Sequence, residues 1–293
     1  MKPAPFEYYS PNSLNEALRL MNEHGYDAKL LAGGQSLIPV MNFRLAQPGI
    51  LVDLNGLSEL GELQQNEADG LRLGAMMRHS QLEHNPIIAD HAPLVHETMP
   101  FIAHPQIRNR GTIGGSLAHA DPAAELPVIM VALEARFRLQ KLGSERWISA
   151  EDFFQSLFTT ALEPEEIMVE IAVPSWSART GHAFLEMARR HGDFAQAGVA
   201  ALVTLDESGV CRQARLVYLN VGEIPMVAYK AAAMLMGERL SPDLLDEAAR
   251  RAAQDEIDPV DDVHGTAVYK RHLAHVLGKR ALHQAITRAQ SNS

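Results

Sequence analysis

Two diglycine segments carry the residue types that can bind an anion through the peptide backbone. The first spans residues 33–36, Gly-Gly-Gln-Ser, and the second spans residues 111–116, Gly-Thr-Ile-Gly-Gly-Ser. Glycine lets the backbone approach a ligand closely, and consecutive N–H groups can then converge on a phosphate. The hydroxyl groups of Ser36, Thr112 and Ser116 add further donors. Two such segments could hold the two phosphates of a dinucleotide.

Each segment also has an ordinary structural explanation, because a glycine pair after a strand is often only a tight turn. Neither segment matches Gly-x-Gly-x-x-Gly or the Walker phosphate loop, so the sequence disfavours a Rossmann fold and a P-loop NTPase. Arg108 and Arg110, beside the second segment, either bind phosphate or pair with acidic residues. The residues alone predict two candidate phosphate-binding loops in an α+β protein.

The elements that must position the first loop form a compact βαβ pattern. Ser13 is expected to cap the preceding helix, which ends near Gly25. Strands are predicted over residues 28–32 and 50–54, with a short helix over residues 37–44 between them. The second block is predicted to contain a strand over 71–75, a helix capped by Ser80, proline-broken helices between 86 and 105, a helix over 127–133 and a strand over 135–139.

The C-terminal part shows a different pattern. After a strand over residues 167–173, the sequence Pro-Ser-Trp-Ser at residues 174–177 marks the predicted boundary between two domains. Strands over residues 197–205 and 214–221 are expected to pair antiparallel. From Val227 onward the sequence is rich in helix formers, and we expect this region to serve packing and subunit contact.

Composition excludes several classes of protein. The chain has 293 residues and a formal net charge of −10, which argues against nucleic-acid binding because phosphate neutralisation needs a basic face. Its single cysteine, Cys211, can form neither an internal disulfide nor an iron–sulfur site, and it favours a reducing compartment. Without an apolar signal core or an apolar stretch long enough for a membrane span, the chain is expected to be soluble and cytoplasmic.

Both loops resemble the FAD-binding signatures of a known family. Residues 32–39 and 107–116 are similar to the two FAD-binding segments of the medium, flavin-carrying subunit of the molybdenum hydroxylases, which include carbon monoxide dehydrogenase and xanthine dehydrogenase. Residues 119–127 and 188–195 extend the resemblance, which covers nearly the whole chain. It implies a two-subdomain FAD-binding domain of the PCMH type over residues 1–176. An α+β C-terminal domain, a small antiparallel sheet plus helices, is implied over residues 177–293.

The resemblance also implies which residues contact FAD. Ser116 stands where family members often have Asn, and Leu185 stands where xanthine dehydrogenase-like members have a lysine. Glu125 and His104 are assigned to the flavin region, although Glu125 could instead cap a helix and His104 could be structural. The implied cofactor-binding residues are Ala32, Gly33, Gly34, Gln35, Ser36, Ile102, His104, Thr112, Gly114, Gly115, Ser116, Glu125 and Met168.

The implied function is electron transfer, with no catalytic side chain and no metal on this chain. A large subunit with a molybdopterin-type molybdenum cofactor and a small subunit with [2Fe-2S] clusters would deliver electrons to FAD, which passes them to an external acceptor. The implied assembly is a dimer of heterotrimers, without nucleic acid or a membrane span. Two other functions remain open from the sequence, a stand-alone flavin oxidoreductase and a non-catalytic nucleotide-binding module.

Overall fold

The computed structural model describes residues 2–66 and 70–291. The N-terminal subdomain consists of β1 (Glu7–Tyr9), α1 (Leu14–His24), β2 (Ala28–Leu31), α2 (Leu37–Asn42) and β3 (Ile50–Asp53). Its strands form a parallel sheet in the order β1-β3-β2. Ser13 caps α1 by accepting a hydrogen bond from the Glu16 N–H, as predicted. The β2-α2-β3 unit confirms the predicted βαβ pattern and places residues 32–36 at the carboxyl end of β2.

The second subdomain is built on an antiparallel sheet. Its elements are β4 (Leu63–Asn66), β5 (Gly70–Gly74), α3 (His79–His84), α4 (Pro86–His91), α5 (Pro93–Thr98), α6 (Pro105–Arg108), α7 (Ile113–His119), α8 (Glu125–Ala132), β6 (Arg136–Lys141), β7 (Ser144–Ser149), α9 (Ala150–Phe153), β8 (Phe154–Ser156), β9 (Thr159–Thr160) and β10 (Ile167–Val173). The strand order is β4-β5-β10-β6-β7, and β8 and β9 form a separate hairpin. Short 3₁₀ helices cover Gly25–Asp27, Ser58–Gly61 and Met99–Phe101.

One predicted helix start in this subdomain is wrong. Ser80 lies inside α3, and Arg78 is the residue that precedes the helix. The Arg78 N–H donates to Oε1 of Gln81 at 2.7 Å, and this contact fixes the first turn. The helix therefore begins before the serine that the sequence pattern favoured, while the proline-broken helices that follow are confirmed.

The C-terminal part contains a second antiparallel sheet covered by helices. Its elements are β11 (Thr180–Ala188), β12 (Ala195–Leu205), β13 (Cys211–Leu219), β14 (Met226–Val227), α10 (Tyr229–Leu235), α11 (Pro242–Asp255) and α12 (Ala267–Ser291). The strand order is β11-β12-β13-β14. The predicted antiparallel pair and the helix-rich end of the chain are confirmed, and with them the α+β fold class.

Strand β12 is buried on both faces. Ala197, Val199 and Ala201 point into the core formed with α10, α11 and α12. Ala200 and Leu202 point the other way, into the core of the second subdomain. Because side chains alternate across a strand, the C-terminal sheet serves as a wall shared by two hydrophobic cores.

Helix α12 packs closely on β11 and also reaches the second subdomain. The Arg288 guanidinium donates to Glu97 Oε2 at 2.7 Å and to the His182 carbonyl oxygen at 2.9 Å. His182 Nε2 lies 3.3 Å from Glu97 Oε1. Burial alone raises the pKa of Glu97, but the hydrogen bonds and charges of His182 and Arg288 outweigh it and lower the pKa to about 2. This network joins α5, β11 and α12.

Residues 2–66 and 70–291 contain neither a candidate membrane span nor a candidate metal site. None of their helices is long and apolar enough to cross a membrane. Their His, Cys, Asp and Glu side chains form no group of three or more that could hold a metal ion.

Candidate functional site

The two diglycine loops meet in space. A Cβ added to Gly33 would overlap the carbonyl oxygen of Arg110 and lie 2.8 Å from the Gly111 Cα. A Cβ added to Gly115 would lie 3.4 Å from the Ala32 Cβ. Only glycine at position 33 allows this approach, because any larger residue would collide with backbone atoms that have no rotamer to change.

An open cleft of about 390 Å³ lies beside the first loop. Gly34 adopts φ +72°, a conformation that favours glycine. Within the described chain, the backbone N–H groups of residues 33–36 form no hydrogen bond. They are therefore free to bind an anion in the cleft. The residues lining the cleft are Leu31, Ala32, Gly33, Gly34, Gln35, Ile38, Pro39, Asn42, Asp53, Asn55 and Arg110.

The second loop supports the first loop and offers few free amides of its own. Thr112 caps α7 by accepting a hydrogen bond from the Gly115 N–H at 3.1 Å. The N–H groups of Ile113, Gly114 and Ser116 donate to the carbonyl oxygens of Met77, Ala75 and Thr112, respectively. The expectation that consecutive amides of this loop converge on an anion is therefore not supported. From this loop, the Arg110 side chain lines the cleft. Ser116, on α7, is half-buried and does not line it.

Two polar residues of the cleft, Asp53 and Asn55, were not predicted. Asp53 ends β3, accepts a hydrogen bond from the Tyr8 hydroxyl, and is bonded to Asn55, whose amide also donates to the Ala32 carbonyl at 2.9 Å. Burial raises the pKa of Asp53, but the hydrogen bonds from Tyr8 and Asn55 and the charge of Arg110 outweigh burial. The pKa of Asp53 is therefore lowered overall. Their place in the sequence could have indicated them, because Asp53 and Asn55 lie at the carboxyl end of a parallel strand, where ligands bind.

The two arginines before the second loop have different roles. Arg110 is exposed and lines the cleft, where its charge can attract an anion. Arg108 is buried and forms a two-pronged ion pair with Glu83, with Nε–Oε2 and Nη2–Oε1 distances of 2.7 and 2.9 Å. Arg108 also donates to the Ile102 and Ala103 carbonyl oxygens at 3.0 and 3.2 Å. It therefore holds the segment that contains Ile102 and is not a phosphate ligand.

Replacing Arg108 should strongly destabilise the protein. Arg108→Met leaves the half-buried Glu83 carboxylate without its partner, which costs up to about 3–5 kcal/mol in the free energy of unfolding. Denaturant unfolding measures this loss, and Arg19→Met, an exposed change on α1, is the control. The double variant Arg108→Met/Glu83→Leu should recover part of the loss. No recovery would show that the hydrogen bonds to the 102–103 carbonyls dominate.

His79, at the start of α3, packs against Gly111 of the second loop. It is buried, its backbone N–H donates to the Gly111 carbonyl oxygen at 3.0 Å, and a Cβ added to Gly111 would lie 2.9 Å from its ring Nδ1. Burial lowers the pKa of His79 to about 4. The folded state therefore binds this proton less readily than the unfolded state, whose histidine pKa is about 6.5.

The His79 contribution to stability is present above pH 6.5 and is lost as the pH falls toward 4. A shift of this size corresponds to about 3 kcal/mol. His79→Gln should therefore show a smaller loss of stability between pH 7 and pH 4 than the wild type, measured by denaturant unfolding at each pH. His84→Gln, an exposed change on the same helix, should leave the pH profile unchanged. Equal profiles for all variants would contradict a buried neutral His79.

The other predicted residues lie apart from the cleft lining. Ile102 is buried, and His104 is exposed with its ring against Gly192, in the connection between β11 and β12. Glu125 begins α8 and is only 7% exposed; burial, with a further contribution from the Asp121 charge, raises its pKa to about 7. Met168 is buried on β10 in the core of the second subdomain.

Comparison with protein families matches both parts of this architecture. The family described as the FAD binding domain in molybdopterin dehydrogenase matches residues 4–176. The chain belongs to the FAD-binding subunits of the molybdenum hydroxylase family. The family described as the CO dehydrogenase flavoprotein C-terminal domain matches residues 182–285. Both matches agree with the fold that the sequence resemblance implied.

Individual relatives of this flavin subunit match over nearly their full length. The chain is 43% identical over 290 residues to the 6-hydroxypseudooxynicotine dehydrogenase complex subunit alpha of Paenarthrobacter nicotinovorans, covering 99% of this chain and 97% of the relative. It superimposes with a TM-score of 0.94 and 40% identity on a chain of carbon monoxide dehydrogenase from Hydrogenophaga pseudoflava, covering 98% and 99% of the two chains. A chain of quinoline 2-oxidoreductase from Pseudomonas putida 86 gives a TM-score of 0.93 at 36% identity, covering 99% of each. The flavin subunit is therefore an oxidoreductase component.

Proposed function

We propose that this chain is the FAD-carrying electron-transfer subunit of a molybdenum-containing hydroxylase or dehydrogenase. The observation that carries the proposal is the row of unbonded N–H groups at residues 33–36, beside a cleft lined by Gly33, Gly34 and Gln35, with Gly33 packed against the backbone of the second loop. Converging backbone donors stabilise a pyrophosphate without requiring a basic protein, which suits a chain of net charge −10.

The residues present fit FAD. The amides of residues 33–36 and the Arg110 guanidinium would hold the pyrophosphate, and Asp53 and Asn55 offer polar partners to the rest of the nucleotide. The other predicted contacts, Ile102, His104, Thr112, Gly114, Gly115, Ser116, Glu125 and Met168, remain part of the proposal for the second subdomain. Bound FAD supplies electron storage and release, and this chain binds and orients it.

The remaining redox centres would lie on other chains. Cys211 is a buried thiol whose pKa burial raises to about 11, and a single cysteine cannot ligate a [2Fe-2S] cluster. One relative is described as a subunit of a dehydrogenase complex, and another as a carbon monoxide dehydrogenase that lacks the Mo-pyranopterin moiety of the molybdenum cofactor. We infer a large molybdopterin subunit and a small iron–sulfur subunit, assembled as a dimer of heterotrimers in the cytoplasm. The proposed domain limits are residues 1–176 and 177–293.

The test is purification of the chain alone and of the complex co-expressed with its partner subunits. We expect one FAD per chain from the visible spectrum. We also expect the complex, but not the isolated chain, to show flavin bleaching when substrate is added under anaerobic conditions. A flavin-free complex contradicts the cofactor assignment, whereas substrate turnover by the isolated chain supports a stand-alone flavin oxidoreductase instead.

A further inference from the structure

Arg78, the residue before α3, connects the second loop to a cleft residue of the N-terminal subdomain. Its backbone pairs with Thr112 of the second loop in an isolated β-bridge. Its half-buried side chain donates to two acceptors. Nη1 donates to the Arg110 carbonyl oxygen, and Nη2 donates to Asn55 Oδ1 at 2.5 Å. One guanidinium therefore joins the backbone of the second loop to a side chain that lines the cleft.

The hydrogen bond from Arg78 fixes the orientation of the Asn55 side-chain amide. Asn55 Nδ2 donates to the Ala32 carbonyl oxygen at 2.9 Å and to Asp53 Oδ1 at 2.5 Å, while Oδ1 accepts from the guanidinium. A flipped amide would place its NH2 group against a cation and its oxygen against a carboxylate, so only one orientation satisfies every partner. Through Asn55, Arg78 therefore acts on Ala32 of the first loop and on Asp53 at the end of β3.

The Arg110 carbonyl oxygen is a contact point between the two loops. Gly33 approaches it so closely that an added Cβ would overlap it, and Arg78 donates to the same oxygen. Gly33 thus permits the approach, and Arg78 stabilises it with a charge-assisted hydrogen bond. Among the described residues, the lining of the cleft includes Asp53, Asn55 and Arg110 but not Arg78. The effect of Arg78 on a ligand in the cleft must therefore pass through the residues that it holds.

We propose that Arg78 is a positioning residue for FAD binding, whose guanidinium holds the two loops and the Asn55 amide in the geometry that receives the nucleotide. The inference rests on the proposed function, since FAD is the ligand that the cleft would hold. Arginine suits this role because its planar fork donates to two acceptors at fixed angles, which the ammonium group of lysine does not reproduce. Arg110 and Arg78 then have separate tasks, since Arg110 supplies charge to the cleft and Arg78 keeps its walls in place.

The test measures FAD affinity by titrating the flavin-free complex and following flavin fluorescence, for the wild type and for three single variants. We expect Arg78→Met to weaken FAD binding by about 10–100-fold, because two charge-assisted hydrogen bonds are lost. Arg78→Lys keeps the charge without the fork and should recover only part of this loss, so full recovery would overturn the bridging role. Arg19→Met, the same change at an exposed position of α1, is the control and should bind FAD like the wild type.

A double-variant cycle shows whether Arg78 acts through Asn55. If it does, Arg78→Met/Asn55→Ala should weaken FAD binding much less than the product of the two single effects, and the full product would contradict the proposal. Salt dependence separates positioning from direct phosphate binding. Arg78→Met should keep the wild-type salt dependence of FAD affinity, whereas Arg110→Met should reduce it. A reduction by Arg78→Met would make Arg78 a ligand of FAD and overturn its positioning role.

The melting temperature and the FAD content of the wild type complete the test. A merely structural role predicts a lower melting temperature for Arg78→Met with unchanged FAD affinity in the folded complex, and that result would overturn the inference. If the wild-type complex binds FAD and the Arg78 variants bind it equally well, this inference fails and the proposed function stands. If the wild-type complex binds no FAD, the proposed function fails and this inference fails with it.

Discussion

Gly33→Ala should weaken FAD binding by about one to two orders of magnitude while leaving the protein folded. The new methyl group would overlap the Arg110 carbonyl oxygen and come within 2.8 Å of the Gly111 Cα, so the two loops must separate. Overpacking of this kind costs about 1–3 kcal/mol, which corresponds to about 5–150-fold in affinity. The measurement is the FAD content of the purified complex, followed by titration of the flavin-free form.

Gly56→Ala is the matched control for this loop. Gly56 lies in the same subdomain, just after Asn55, and an added Cβ would meet only the Pro11 carbonyl oxygen at 3.7 Å. This variant should retain its FAD and its yellow colour. If Gly33→Ala also retains FAD at wild-type affinity, the close approach of the two loops is not what forms the site.

Gly181→Ala should produce the largest loss of stability among single methyl additions to the C-terminal sheet. The added Cβ would overlap the Ala285 carbonyl oxygen and the Ala289 backbone nitrogen, and it would lie 2.9 Å from the Ala285 carbonyl carbon. Because these are backbone atoms of a long helix, α12 must move as a unit away from β11. We expect a loss of about 3 kcal/mol or more, or roughly 10 °C in melting temperature.

Gly265→Ala is the control for this effect. An added Cβ there would meet the Tyr269 ring at 3.4 Å, an ordinary contact, and the melting temperature should change little. Calorimetry of both variants distinguishes a specific contact between α12 and β11 from a general intolerance of methyl groups. A Gly181→Ala protein as stable as the control would show that α12 shifts without cost.

The first loop and its framework could be predicted because the signals were local. The alternation of strand, glycine turn and short helix around residues 28–54 follows from nearby residues, and the structure confirms it. The antiparallel pair in the C-terminal part was predictable for the same reason, since each strand is long and apolar. The resemblance of residues 32–39 and 107–116 to a family then supplied the cofactor, which the residues alone left open.

Other parts of the site depend on contacts that sequence spacing does not encode. The amides of the second loop looked available, yet Ala75 and Met77 take two of them through a bridge between distant segments. Arg108 and Arg110 could not be separated by type, because only packing shows that one is buried against Glu83. Asp53 joins the cleft because β3 pairs parallel with β2, which places Asp53 beside Leu31.

The burial of β12 on both faces makes the two family-matched regions a single cooperative unit. The N-terminal region does not close its own core, since Phe184, Ala200 and Leu202 of the C-terminal region complete it, whereas the C-terminal region forms the second core from its own residues. Chemical denaturation should therefore follow one transition, in which the fluorescence change of Trp147 and Trp176 in the N-terminal region coincides with the loss of helical circular dichroism. A polypeptide cut between residues 176 and 177 would expose a hydrophobic sheet surface, and we expect it to self-associate. The two family-matched regions would then not fold independently of each other.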